Sequence, residues 1–406
     1  MFKLKFLAVI FILSAASLGA KVKPGIDVLI QNGFDEIRGK KIALLTNFSG
    51  RTSDGRLTAE VLSESDEFEL SAIFTPEHGF YTAVPAGLKV EDESFNQIPI
   101  LSMYGASKSP SQSVLSEIDA LLIDIQDIGI RSYTFLSSVY RAMEACAEIK
   151  KTVIILDRPN PIGGMIADGS VLDTAYRSFV GIIPVSYIHG CTLGELALMI
   201  NHEGWLGNGR QCEVKVIQMD GWQRWMAWED TGLGWYPTSP HIPTPGAIRG
   251  AAALGTFGEL GIISIGIGTT LPFQYIGQPG LRVNEIEKSL GVLSPGFHLS
   301  KTKYRPFYGM YSSKYCDGFL ITFSLSNEFR PYTDGIRLML AIRRTHPTLF
   351  SGAKLKDNAR QMFIKVTGSE KLYELMFSGA PDEKIIEAAN EGLIDFLKLR
   401  GKYLLY

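Results

Sequence analysis

The stretch ALLIDIQDIGIRSY, residues 120–133, decides how this chain folds. Its first six residues form an apolar run broken only by Asp124. A strand with one wet face alternates apolar and polar residues, whereas a strand covered by helices on both faces is apolar almost throughout. Polar groups then crowd together at Gln126, Asp127, Arg131 and Tyr133, and a helical pattern covers 133–149. A second buried run, TVIIL at 152–156, follows. Working outward, the same alternation predicts strands at 41–47, 70–75, 98–104, 184–188 and 213–218, with helices at 54–62 and 192–203. Continuous apolar strands with intervening helices predict an α/β protein built on a doubly wound parallel sheet.

The pattern changes after Asp220. Trp222, Trp225, Trp228 and Trp235 fall close together, and PTSPHIPTP at 237–245 is too rich in proline for a helix or an inner strand. An ordered loop closing onto the sheet is expected there. The tryptophans fit a sugar platform or internal packing equally well. From about residue 291 a strand near 317–325 and helices at 334–344, 371–377 and 382–397 predict a second, smaller α+β domain. The expected division is 1–20, 21–250 and 251–406.

Residues 1–20 read as an export signal. Lys3 and Lys5 precede an apolar run at 6–13, and small residues follow up to Ala20. The run is short for a membrane span, so the expected product is an exported, periplasmic or secreted protein with no span in the mature chain. The whole chain of 406 residues carries a formal charge of −2, which argues against a nucleic-acid partner. Its four cysteines are too few for a disulfide scaffold. Cys146 sits in a helical apolar pattern as a buried thiol, while a disulfide among the other three is open. No Cys/His spacing suggests a metal, and no glycine fingerprint after a strand suggests a nucleotide cofactor, so none is expected. A G-x-S-x-G elbow and an H-E-x-x-H helix are also absent from the sequence.

Open parallel sheets bind ligands at the carboxyl ends of their strands. Five predicted strands end there in polar groups: Asn47; Glu77-His78; Asp124-Ile-Gln126-Asp127 with Arg131 and Tyr133; Asp157-Arg158 with Asn160; and His189. One such residue is usually a turn or cap; five convergent ends suggest a binding or catalytic rim. Glu77, in a Pro-Glu-His-Gly loop, suits a general acid. Asp124 or Asp127 suits a second carboxylate, the other one orienting Arg131. Asp157-Arg158 is as readily an internal ion pair as a ligand contact. Asn47, His78, Gln126, Arg131, Tyr133, Asp157, Asn160, His189 and, from the closing loop, His241 are the expected substrate contacts. Thr192 and Glu195 read as a capping box and therefore as structural. GIGTT at 266–270 reads as a tight turn.

These blocks together resemble the NamZ-type exo-β-N-acetylmuramidases: TPEHGF at 75–80, DIQDIG at 124–129, DRPNP at 157–161, RSFVG at 177–181, HG at 189–190, GELA at 194–197 and GTT at 268–270 before Pro272-Phe273. The resemblance implies a Rossmann-like domain, a smaller C-terminal domain and an active site in the cleft between them. It also implies hydrolysis of a non-reducing terminal N-acetylmuramic acid from peptidoglycan fragments, with an amino sugar as partner. Glycoside hydrolysis usually employs an acid and a second carboxylate, which fits Glu77 with Asp124 or Asp127. The chain departs from the family pattern at Ile265 and Ile267, where an acid and an arginine are usual, at His241 for asparagine, and at Tyr81-Thr82 for Arg-Gly. Two functions are therefore expected: an exported exo-glycosidase, or a non-catalytic wall-sugar binder on the same fold.

Overall fold

The computed structural model describes residues 21–105, 108–324, 328–351, 355 and 358–406, so the expected export signal lies outside the described residues. The ALLID run is a strand inside a seven-stranded sheet. In chain order the strands are β1 (Lys41–Thr46), β2 (Glu69–Thr75), β3 (Glu93–Phe95), β4 (Ile98–Ser102), β5 (Ala120–Asp124), β6 (Thr152–Leu156), β7 (Asp168–Val171), β8 (Ser186–Ile188) and β9 (Val214–Ile217). Across the sheet they run β3-β4-β2-β1-β5-β6-β9, and every pairing is parallel except β3 with β4.

Side chains of β5 alternate between the two faces. Leu121 and Ile123 join a core with helices α4 (Thr134–Glu148) and α5 (Leu193–His202). Ala120 and Leu122 join another with α1 (Gly25–Gln31) and α2 (Thr58–Ser63). Both faces are covered, which is why the strand has no wet side and reads as an unbroken apolar run. The short α3 (Gln112–Ser116) adds Leu115 to the first face. From β1 the chain winds outward to β2 and β4, then returns to β5 on the other flank of β1. The switch point therefore lies between β1 and β5, whose register pairs Thr46 with Asp124.

One predicted strand belongs elsewhere. The 184–188 run forms β8, which pairs antiparallel with β7 outside the main sheet. Four of the five polar ends thus belong to parallel strands, and the fifth comes from this separate ribbon.

The second part begins with a helix that the sequence reading missed, α6 (Pro245–Leu260). Thr244 caps it through Ala247 N, Pro245 opens it, and Gly261 ends it with φ 62°. The division expected at 250 falls inside this helix. A three-stranded antiparallel sheet follows, β10 (Tyr275–Gln278), β11 (Phe297–Tyr304) and β12 (Cys316–Phe323), in the order β10-β12-β11. Around it lie α7 (Val283–Ser289), α8 (Pro331–Thr345), α9 (Ala359–Thr367) and α10 (Glu370–Ser378). The helix expected over 382–397 is two, α11 (Asp382–Ala388) and α12 (Leu393–Arg400), parted by Gly392 at φ 79°.

The end of the chain does not stay with this second part. Phe396 of α12 packs into the first core beside α4 and α5. Arg131 ties the parts again: its fully buried guanidinium donates to the carbonyls of Ser170 (2.6 Å), Val185 (2.6 Å), Val366 (3.0 Å) and Thr367 (2.7 Å). The last two close α9, where a cation meets the negative end of the helix. All four cysteines are buried and free, so no disulfide forms among Cys191, Cys212 and Cys316. Among the described residues no helix is long and apolar enough to cross a membrane.

Candidate active site

The polar strand ends meet along the carboxyl edge of the sheet, but they divide into two groups. In the first, every charge is consumed internally. Asp124, fully buried, takes Arg158 in a two-point ion pair, with Nη2 at 3.0 Å, and accepts the Thr58 hydroxyl. Asp157 does not pair with its neighbour Arg158 side chain. It accepts the Thr192 hydroxyl (2.6 Å), Gly194 N (2.9 Å) and the Tyr406 hydroxyl (2.8 Å). Burial pushes its carboxyl up to about 6 against these donors. Arg131 is held by its four carbonyls, and neither aspartate orients it; burial pulls it down to about 10. Asn160 bonds the Cys191 carbonyl and Ile162 N. These four expected site residues are committed to the fold. Thr192 and Glu195 form the predicted capping box.

The second group is left wanting. Asn47 Nδ2, Thr75 Oγ1, Gln126 Oε1, Asp127 Oδ1 and His189 Nε2 are all buried without a hydrogen-bond partner among the described residues. Four of the five lie at the carboxyl ends of β1, β2 and β5, and His189, from the ribbon strand β8, meets them beside Asp127. Buried polar atoms are nearly always bonded, so a cluster of unbonded ones marks where water or ligand must complete the set.

Their neighbours fix them in place. Asn47 Oδ1 accepts from Ser49 N and Oγ, which aims its amide nitrogen away. Gln126 Nε2 donates to the carbonyls of Asp127 and Pro159. Asp127 Oδ2 accepts Gly129 N at 2.7 Å, leaving Oδ1 free. His189, fully buried, accepts Cys191 N at Nδ1 (3.2 Å); its proton is therefore assigned to Nε2, which lies 3.5 Å from Asp127 Oδ2.

Glu77 sits beside them in the loop after β2. Its Oε1 accepts Gly87 N (2.9 Å) and its Oε2 the Thr134 hydroxyl (2.5 Å) at the first turn of α4, where the helix dipole favours an anion. The Tyr104 hydroxyl also reaches it, and burial together with this carboxylate pushes Tyr104 up to about 12. Tyr133 lies within electrostatic reach of both Glu77 and Asp127, and burial drives its phenol upward. Its hydroxyl donates to Thr238 (2.8 Å) in the closing loop, whose Pro237 carbonyl takes the Thr82 hydroxyl (3.0 Å). The predicted loop thus closes onto the rim.

The second part contributes at the mouth. His241 Nε2 lies 3.2 Å from the Tyr308 hydroxyl, and burial with nearby His78 lowers the His241 imidazole. His78 gives Nδ1 to the Val84 carbonyl (2.8 Å), leaving Nε2 available. Tyr308 is placed by the glycine turn: a side chain at Gly268 would meet the Tyr308 carbonyl at 2.0 Å, so the turn must be bare for that segment to pass. Sequence reading missed Tyr104, Thr238 and Tyr308 as site residues, since none carries a motif. Ile265 is buried in the second core against α6 and not in the rim, and Ile267 packs partly buried against the same core. Trp222 and Trp228 are buried packing groups, whereas Trp225 is 57% exposed. Among the described residues no three His, Cys, Asp or Glu side chains are grouped to hold a metal.

Comparison with known proteins settles the lineage. The N-terminal region of "Exo-beta-N-acetylmuramidase NamZ" matches residues 42–246, and its C-terminal region matches 252–406. The chain belongs to the NamZ family. It is thereby a member of a glycosidase family. The peptidoglycan beta-N-acetylmuramidase NamZ of Bacillus subtilis (strain 168) is 33% identical over 95% of this chain and 92% of its own length. Two crystal structures of DUF1343 family proteins from Bacteroides fragilis NCTC 9343 share the NamZ fold seen here. One superposes with a TM-score of 0.88 at 34% identity, the other with 0.71 at 29%; each covers 95% of this chain and 99% of its own.

Proposed function

We propose that this protein is an exported exo-β-N-acetylmuramidase that hydrolyses the terminal N-acetylmuramic acid of peptidoglycan fragments. The observation that carries the reading is the pairing of two carboxylates with a cluster of unbonded buried polar atoms on one sheet edge. Of the two candidate aspartates, Asp127 is the one with a free oxygen; Asp124 is closed off by Arg158 and Thr58. Glu77 is assigned as the acid that protonates the departing glycosidic oxygen. Asp127 is assigned as the second carboxylate, serving C1 of the sugar as water replaces the leaving group. Gly129 N fixes Asp127 Oδ2, so Oδ1 is the oxygen left for chemistry. Asn47 Nδ2 and Gln126 Oε1 supply one donor and one acceptor for the sugar's hydroxyl and acetamido groups. The family relationship supports the substrate, and the lysine-led apolar N-terminus supports export.

The test is turnover of a chromogenic β-N-acetylmuramide by the mature protein, with the matching β-N-acetylglucosaminide alongside. The expected result is release from the muramide and its loss in Glu77→Gln, with sugar binding retained. A folded protein that binds the muramide without releasing the chromophore would establish the non-catalytic wall-sugar binder instead.

A further inference from the structure

Muramic acid differs from glucosamine by a lactyl ether at O3, and that ether ends in a carboxylate. A site that selects for it needs a cation or strong donor within one sugar ring of the acid that cleaves at C1. The obvious guanidinium groups of the rim are spent. Arg131 is bonded to four carbonyls and Arg158 to Asp124. Arg51 bonds the carbonyls of Phe48 and Gly55 and stacks between the Phe48 and Tyr236 rings.

One ammonium stands differently. Lys108, between β4 and α3, lies with its Nζ 4.1 Å from the ring centre of Phe179 and 5.4 Å from that of Tyr104. Tyr104 is the residue whose hydroxyl reaches Glu77. Phe179 is anchored through the same helix turn: its carbonyl accepts the Ser137 hydroxyl (2.7 Å) in the first turn of α4, one helical step from Thr134, which donates to Glu77. The two rings pack against each other with centres 6.0 Å apart. They form a shelf beside Glu77, and the ammonium rests on it. Lys108 is exposed and makes no ion pair among the described residues. Aromatic faces hold a cation in position without consuming its N–H donors. The result is a located positive charge with free donors, one tyrosine ring away from the carboxylate assigned as the acid.

We infer that Lys108, seated on Phe179 and Tyr104, is the specificity-determining residue that binds the lactyl carboxylate of the terminal sugar. The inference rests on the proposed function and names what that site selects. It also accounts for how the chain tolerates Ile267 and Tyr81: the counter-charge comes from another loop. Lys108 touches the substituent and not the reacting bond, so its contribution falls on binding.

The experiment measures equilibrium binding of free N-acetylmuramic acid and of N-acetylglucosamine to the full-length mature protein, and KM and kcat for the chromogenic muramide. These are compared for wild type, Lys108→Met and Lys108→Arg. Wild type is expected to prefer N-acetylmuramic acid, with a preference that weakens as salt rises. Lys108→Met should lose about two- to fivefold of that preference, the scale of one exposed charge pair. Its loss should appear in KM with kcat little altered, and Lys108→Arg should recover it. A Lys108→Met protein that prefers N-acetylmuramic acid as strongly as wild type, while wild type still cleaves the muramide, overturns the inference and leaves the proposed function standing. A wild type that neither cleaves nor prefers the muramide overturns both.

Discussion

Two halves of one sheet edge face the same crevice with the same kinds of residue, yet they do opposite things. On one half, Asp124, Asp157 and Asn160 find protein partners for their charges and amides, and Arg131 does so through both Nη groups with Nε alone unbonded. On the other, Asn47, Thr75, Gln126, Asp127 and His189 each keep a buried polar atom without one. The bonded half holds the fold together; the unbonded half has been left available at a cost in stability that only a bound molecule or water recovers. Residue type does not separate a structural aspartate from a functional one. Partnership does.

The comparison breaks most sharply at its two aspartates. Asp127→Asn should lower turnover of the muramide about 10²–10⁴-fold, the usual range for an acid–base group, while its melting midpoint stays close to wild type. Asp124→Asn should do the reverse. It unpairs buried Arg158 and should cost about 3–5 kcal/mol in denaturant unfolding. Equal stability losses in the two variants would erase the distinction.

Arg131→Met comes next. It strands the buried carbonyls of Ser170 and Val366, while Val185 O keeps Leu172 N and Thr367 O keeps the Ser170 hydroxyl, and should lower unfolding free energy by about 2 kcal/mol or more, since each stranded group costs about 1–3 kcal/mol. Intact stability would show that those carbonyls are satisfied some other way.

A pH series sharpens the bonded half. Asp168 is fully buried, and burial raises its carboxyl to about 6 although Thr333 donates to both its oxygens at the start of α8. The folded state holds this proton more tightly than the unfolded chain does. The stabilisation from this group is therefore complete below the ordinary carboxylate range and is lost as pH rises through about 6. Parallel melts of wild type and Asp168→Asn should show wild type gaining on the variant between pH 7 and pH 4. A constant gap across that window would refute the assignment.

The smallest effect is a matched pair. Thr58→Val removes a hydroxyl that donates to Asp124 and should cost about 1 kcal/mol or more. Thr75→Val removes a hydroxyl with no partner and should cost nothing measurable in stability, while weakening sugar binding. Equal costs would mean that both hydroxyls are alike.

Much of this was written in the chain and some was not. The run at 120–125 announced a strand buried on both faces, and the order of strands and helices through 156 follows from the same logic. Thr192 and Glu195 declared their cap because capping is local chemistry. The role of Arg131 was illegible because its partners are backbone carbonyls 39 to 236 residues away, and a carbonyl has no letter. Asp124 and Asp127 are equivalent on paper; what divides them is Thr58 and Arg158, brought in by α2 and the β6 end. Helix α6 was missed because its glycines and alanines suit tight packing against a neighbour, not an amphipathic stripe. The ribbon strand β8 looked like its parallel cousins because both are buried, and pairing partner is a tertiary property.

The return of α12 to the first core sets a timetable for synthesis. Phe396 fills a place among α4 and α5, and the Tyr406 hydroxyl joins the donors around Asp157. The first core therefore cannot finish folding until the α12 segment and Tyr406 have been made, however early its strands emerge. Contacts spanning 249 residues, as between Tyr406 and Asp157, are also the slowest to form from an open chain. A nascent chain of this protein should stay loose and chaperone-accessible until residues 393–406 have emerged, then close in one late step.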